Sequence, residues 1–159
     1  MIVISKIKNA EIGNVYAIKT KIGYGIFQVV KNNEAGIDVI RVLKPTIEDI
    51  TQFSPELLQE AERYFIKFTV QAALNKNLIT YIGKYKVPSS VKVPRKYRML
   101  DFVPHKNIRN WYIVDAKTNG MKLVKSINKK FLSLSCDEIW NDTFLIERIE
   151  EEWTLENWK

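Results

Sequence analysis

Three consecutive runs near the start of the chain carry strand-like patterning. Val15-Tyr16-Ala17-Ile18-Lys19 is rich in β-formers and follows Gly13-Asn14. Ile22-Gly23-Tyr24-Gly25-Ile26-Phe27-Gln28-Val29-Val30 has two glycines inside an apolar run, the mark of a bulge or a bend at a barrel corner. Asn32-Asn33-Glu34-Ala35-Gly36 is a turn, and Ile37-Asp38-Val39-Ile40-Arg41-Val42-Leu43 alternates as a half-buried strand does. Three strands with short turns predict a meander over residues 13–43. Bends at Gly23 and Gly25 make it SH3-like, a small half-barrel.

Beyond Lys44-Pro45, Ser54-Pro55-Glu56 is a helix start with Ser54 as N-cap and Pro55 at the first helical position, predicting a helix to about Arg63. Alternation predicts strands over 64–70 and 78–85, with one helical turn at 71–77. Pro88 and Pro94 keep 88–94 out of a central strand and predict an extended loop or edge. Residues 97–102 pair briefly. Trp111-Tyr112-Ile113-Val114-Asp115 and Met121 to Val124 flank Thr118-Asn119-Gly120 as a hairpin. Trp140, Phe144, Leu145 and Ile149 share a helical face, which predicts a helix over 136–149. The fold class is α+β and β-rich: the SH3-like meander extended by further antiparallel strands, one short mid-chain helix and a C-terminal helix, in a single domain spanning 1–159.

Composition removes several function classes. The 159 residues are 46% hydrophobic and 27% charged, ordinary for a globular chain of one domain. One Cys excludes a disulfide framework and a thiolate zinc cage, and one His leaves little for a Ser-His-Asp triad. No apolar run approaches the ~20 residues of a membrane span. The opening Met1-Ile2-Val3-Ile4-Ser5-Lys6 is too short for a signal-peptide core. A cytoplasmic protein is expected.

No spacing points to catalysis. Gly23-Tyr24-Gly25 lacks a third glycine and a following helix, so no phosphate loop is predicted. Glu48-Asp49 and Asp137-Glu138 are adjacent acids, which do not face each other on a helix; both pairs fit helix starts, where acids complement the dipole. Cys136 reads as a small, partly buried residue at a helix start, and His105 lies in a polar loop without visible partners. The chain is therefore expected not to be an enzyme, with no catalytic residues, no cofactor and no metal.

Charge is unevenly placed. The chain carries +7, yet residues 137–159 hold two Lys/Arg against eight Asp/Glu. Residues 64–109 hold ten Lys/Arg and a single acid, Asp101. This predicts two faces of opposite potential, able to steer a charged partner. Lys84-Tyr85-Lys86 and Arg95-Lys96-Tyr97-Arg98 interleave rings with cations, the composition of a nucleic-acid surface. Lys84, Lys86, Arg95, Lys96 and Arg98 are the candidate partner-binding residues, projected by the proline loop. Residues 150–158, where Trp153 and Trp158 sit in an acidic terminus, are the second choice.

The stretches Glu11-Ile12-Gly13-Asn14-Val15-Tyr16-Ala17-Ile18 and Gly23-Tyr24-Gly25-Ile26-Phe27-Gln28-Val29-Val30 resemble the opening of immunity protein family 26 of bacterial polymorphic toxin systems. Asn14 stands where that family usually carries Asp. Ile82-Gly83-Lys84-Tyr85-Lys86-Val87-Pro88 resembles its middle segment and Ile146-Glu147-Arg148-Ile149 its end. The resemblance implies a β-rich α+β binder that neutralises a cognate protein toxin without catalysis. The alternative is a small basic nucleic-acid-binding protein with an SH3-like barrel. A membrane partner is not expected.

Overall fold

A computed structural model describes residues 10–158, apart from the side chain of Glu34. The apolar opening read at residues 1–6 lies outside the described residues. The meander expected over 13–43 is present as β1 (Asn14–Thr20), β2 (Gly23–Asn32) and β3 (Asp38–Ile47), paired antiparallel in sequence order. Register shifts at Gly25/Phe27 and Val29/Lys31 interrupt the β2–β3 ladder, and such bulges bend a strand. β4 (Glu62–Phe68) continues the sheet beyond β3. The six-residue helix α1 (Val70–Asn75) then carries the chain to the outer edge of β1, where β5 (Ile79–Lys84) pairs. With β10 (Ile139–Trp140) parallel to β4, the first sheet has the linear order β10-β4-β3-β2-β1-β5. The curved meander is thus built into a larger open sheet.

β6 (Lys96–Val103), β7 (Ile108–Asp115), β8 (Met121–Val124) and β9 (Ser135–Cys136) form the second sheet, in the order β8-β7-β6-β9. The expected hairpin of β7 and β8 is there, and β6 spans eight residues where only a brief pairing was expected. A short helix α2 (Lys129–Leu132) precedes β9. Both sheets are strand-rich and mainly antiparallel, the β-rich α+β class that the pattern predicts.

Two helix expectations are corrected. The segment after Ser54 makes a single 3-10 element, Pro55–Gln59, and Glu60 is already extended. Ser54 makes no side-chain capping bond. Over 136–149, helix α3 begins only at Asp142 and ends at Glu150, capped by Asn141, whose Oδ1 accepts from the Phe144 N–H at 2.8 Å. Residues 135–140 instead step between sheets: β9 pairs parallel with β6 and β10 parallel with β4. Cys136 therefore sits in a strand. Asp137 and Glu138 lie between the two strands, not at a helix start; Asp137 pairs with Lys67 and Glu138 accepts from the Trp140 indole N–H at 2.9 Å.

The first sheet is buried on both faces. Tyr16, Ile18, Phe27, Val29, Ile40, Val42, Tyr64, Ile66 and Phe68 face a core closed by α1, α3 and the C-terminal residues Trp153 and Leu155. The alternate positions Val15, Ala17, Ile26 and Leu43 pack under Leu58 and its neighbours Phe53 and Leu57. Val30, Val39 and Phe65 pack under Val87 and Val91. Between those two patches lies a polar strip. The Arg41 guanidinium, 1% exposed, donates to the Gln28 side-chain oxygen at 3.3 Å and to the carbonyls of Leu58 and Glu60 at 2.9 and 2.7 Å. Gln28 in turn donates to the carbonyls of Gly13 and Tyr85.

Gly25 is needed for close approach. A Cβ there would lie 2.6 Å from Ile149 Cδ1 and 3.3 Å from Ile18 Cγ2, so α3 seats on the sheet only where a side chain is missing. Gly25→Ala is expected to destabilise by about 1–3 kcal/mol as an overpacking change, and Ile149→Val alone by about 0.5–1.5 kcal/mol. Because Ile149→Val deletes the clashing methyl, the double variant should lose clearly less than the sum in urea denaturation. Simple additivity would show that α3 does not press on Gly25.

Candidate partner-binding surface

The structure separates the five predicted residues. Lys86, Arg95 and Lys96 are exposed. Lys84 is exposed too, and its Nζ lies 2.6 Å from Glu11 Oε2 in a surface ion pair that pushes its pKa up. Arg95 contributes with Lys31 and Lys117 to a groove of about 510 Å³ floored by Val30, Val93, Pro94 and Ala116.

Arg98 is corrected: it is 0% exposed and has no surface to offer a partner. Its guanidinium packs against two indole rings that also meet each other edge to face, Trp111 with centroid at 5.1 Å and Trp158 at 4.7 Å. It donates to the carbonyls of Trp158 and Leu155, and to those of Leu134 and Leu132 at 3.3 and 3.4 Å. Burial lowers its pKa, opposed by the nearby Cys136 and Glu156. The physical reason for the misplacement is strand alternation. Lys96, Arg98, Leu100 and Phe102 share one side of β6, and register sets Arg98 opposite Ile113, next to Trp111 on the same side of β7. The C-terminal chain closes over that side. Arg98 is therefore the anchor that ties the last residues to the second sheet, and Trp158 is its partner rather than a free interface anchor. Trp153 is buried against Tyr64 and Trp140.

The proline loop is also more structural than expected. Tyr85 packs on Phe53 at 5.5 Å between ring centroids, and Val87 and Val91 cover Phe65 and Val39. Tyr97 is buried, with Lys67 Nζ 5.3 Å from its ring centroid; burial pushes its pKa up to about 12. The rings that interleave with cations in the sequence thus mostly face inward.

What remains exposed is the second sheet. Residues 86–136 hold twelve Lys/Arg against two acids, and Arg98 alone of the twelve is buried. Register places Met99, Tyr112, Ile108, Met121 and Leu123 on the face opposite Arg98. Of these, Ile108 is 42% exposed, Met121 55% and Leu123 56%. Lys96 and Lys122 lie on the Arg98 side of the sheet. The apolar face was missed in the sequence reading. The apolar alternation of Met121 and Leu123 in a hairpin strand, opposite Tyr112, was the available signal.

The remaining chemical candidates have structural partners or lie apart. Asp49 caps the turn Ile50–Gln52, accepting from the Thr51 N–H at 2.8 Å and from its hydroxyl at 2.6 Å, which holds its pKa down. His105 is exposed in the turn Pro104–Lys106 between β6 and β7, whereas Cys136 is buried and its thiol pKa is pushed up by that burial. Among the described residues no group of three or more His, Cys, Asp or Glu is placed to hold a metal ion, and no helix is long and apolar enough to cross a membrane. No family model, no curated protein and no solved structure matches the chain.

Two outcomes check this assignment. Arg98→Lys leaves several carbonyls without a donor, each charged hydrogen bond being worth about 1.5–3 kcal/mol. It should destabilise strongly in urea denaturation, while Arg95→Gln and Lys86→Gln stay within about 0.5 kcal/mol of the parent. A neutral Arg98→Lys would return Arg98 to the surface. Cys136 should react with a thiol-specific reagent at pH 8 only after denaturation, because the buried thiol is neither accessible nor ionised. Rapid labelling of the folded protein would contradict its placement.

Proposed function

We propose that this chain binds and neutralises a protein toxin through its second sheet, the role that the resemblance of its opening and middle segments to toxin-immunity proteins implies. The observation that carries the reading is the β6–β8 sheet: exposed aliphatic side chains on one face, with exposed cations on its other face, Lys96 and Lys122, and in the flanking loops. Apolar anchors supply affinity at a protein interface, and rim charges speed encounter with a partner of opposite sign. The favoured toxin surface is therefore acidic.

Nucleic-acid binding is the second reading, supported by the same cations. It is the weaker one because single-strand binding draws on stacked rings. Tyr97 is buried, Tyr85 is packed on Phe53, and the exposed anchors Ile108, Met121 and Leu123 are not aromatic; the one exposed ring of β6, Phe102, lies on the other side of the sheet from them.

The test is to look for a toxin domain encoded beside this chain and co-express the two in a sensitive bacterium, together with stopped-flow association at two salt concentrations. Survival and a salt-sensitive association rate are expected. Reversing Lys86, Arg95 and Lys122 to Glu should lower the rate about tenfold and flatten its salt dependence. No protection and no complex would sink the reading. Tight single-stranded DNA binding that weakens by roughly 10³-fold between 50 and 200 mM salt would favour nucleic acid instead.

A further inference from the structure

We infer that the outer edge of β8 is the recognition edge of this surface, and that it takes an extended acidic strand of its partner by β-strand addition. This rests on the protein-binding reading above and names the contact it uses. β8 ends the second sheet, so one side of its backbone has no neighbour among the described residues. Hydrogen bonding identifies the free groups. The Asp115 N–H donates to the Gly120 carbonyl at 2.9 Å, making that pair a bonded one. Bonded and non-bonded pairs alternate in an antiparallel ladder. Ile113–Lys122 and Trp111–Val124 are then bonded, while Met121 and Leu123, opposite Val114 and Tyr112, turn their N–H and C=O away from β7. The Ala116 N–H bond to the Arg95 carbonyl at 2.8 Å fixes the same phase from the other side, because it directs Val114 and Tyr112 toward β6.

The two residues that offer their backbone also offer their side chains. Met121 and Leu123 are more than half exposed on the apolar face, so an added strand gains main-chain bonds and apolar contact at the same positions. Charge selects the occupant. Residues 116–136 contain Lys117, Lys122, Lys125, Lys129 and Lys130, all exposed, and no acid. A second copy pairing antiparallel on this edge, centred on Lys122, would set Lys122 against its own counterpart and bring a second set of these lysines to the same edge, which is repulsive. A strand alternating apolar and acidic residues meets both requirements.

The probe is an end-blocked eight-residue peptide alternating Val and Glu, titrated into the isotopically labelled full chain and followed by NMR and hydrogen exchange. Saturable binding in the millimolar range or tighter is expected, with slowed exchange at the Met121 and Leu123 amides and not at Lys122, which already donates to β7. A Val/Lys peptide should not bind. Leu123→Pro removes one edge N–H that β7 does not use, and should weaken Val/Glu binding about tenfold or more. Exchange on the parent chain keeps the test independent of how that variant folds. Absence of binding, equal binding of both peptides, or shifts confined to other residues would overturn the inference. So would a dimer in sedimentation whose Met121 and Leu123 amides are protected without peptide. The peptide requires no toxin, so its failure falls on the edge alone. A toxin that binds and protects cells while both amides exchange freely would retain the function and discard the edge.

Discussion

Burial of β2 on both faces is the constraint from which the rest of the architecture follows. Ile26, Phe27, Gln28, Val29 and Val30 are consecutive and all buried. Successive side chains point to opposite faces, so neither face of the meander can be left to water. One face is closed by residues far away in sequence, among them Trp140, Leu145, Ile149 and Trp153. The other is closed by local insertions: the turns at 50–59 and the loop of Val87 and Val91. A sheet covered in this way has no broad apolar face left open, whereas the second sheet keeps Ile108, Met121 and Leu123 exposed.

Two buried arginines hold these covers in place, and both use backbone carbonyls where a carboxylate would be usual. Arg41 fixes the turn at Leu58 and Glu60 over one face; its nearest acid, Glu62, is 3.9 Å away. Arg98 collects carbonyls from residues 132, 134, 155 and 158 on the other side of the molecule. Burying a guanidinium is costly unless its donors are satisfied; the terminal nitrogens of Arg41 are, while its buried Nε has no hydrogen-bond partner. Each arginine therefore stabilises one arrangement of its loop strongly over others, because any displaced carbonyl leaves a desolvated charge. For Arg98 the two indole faces add cation–π attraction in a dry setting.

The strands were legible because their signals are local. Alternation over 37–43, 64–70 and 111–115 and the turn at Thr118-Asn119-Gly120 identify β3, β4 and the β7–β8 hairpin without knowledge of the partner strands. What escaped is non-local. The pattern of Trp140, Phe144, Leu145 and Ile149 fits a helix from 136 onward, yet Cys136 and Trp140 are claimed by β6 and β4 through parallel pairing. Nothing near them in sequence announces those pairings. Arg98 escaped for a related reason. A cation among Arg95, Lys96 and Lys106 reads as surface, and its burial depends on a C-terminal segment some sixty residues on. Of the candidate site, Lys86, Arg95 and Lys96 were found by charge alone, whereas the apolar face required the strand register.

The acidic terminus leaves the lysines of α2 and β8 largely unopposed. Three of the carboxylates of 137–156 are drawn toward the first sheet or their own helix: Asp137 to Lys67, Glu150 to the Lys21 N–H at 2.6 Å, Glu151 to Arg148 at 3.3 Å. None of these three neutralises a lysine of α2 or β8. At the same time Trp158 is fixed on Arg98, so the C-terminal segment supports the second sheet from the side opposite its exposed face. The result is a stiff platform with its backing already in place. On the proposed function, a partner docking there would pay little to order it, and that ordering is a principal cost of association. Packing of the C-terminal segment on Arg98 thus covers one face of the second sheet and leaves the other open.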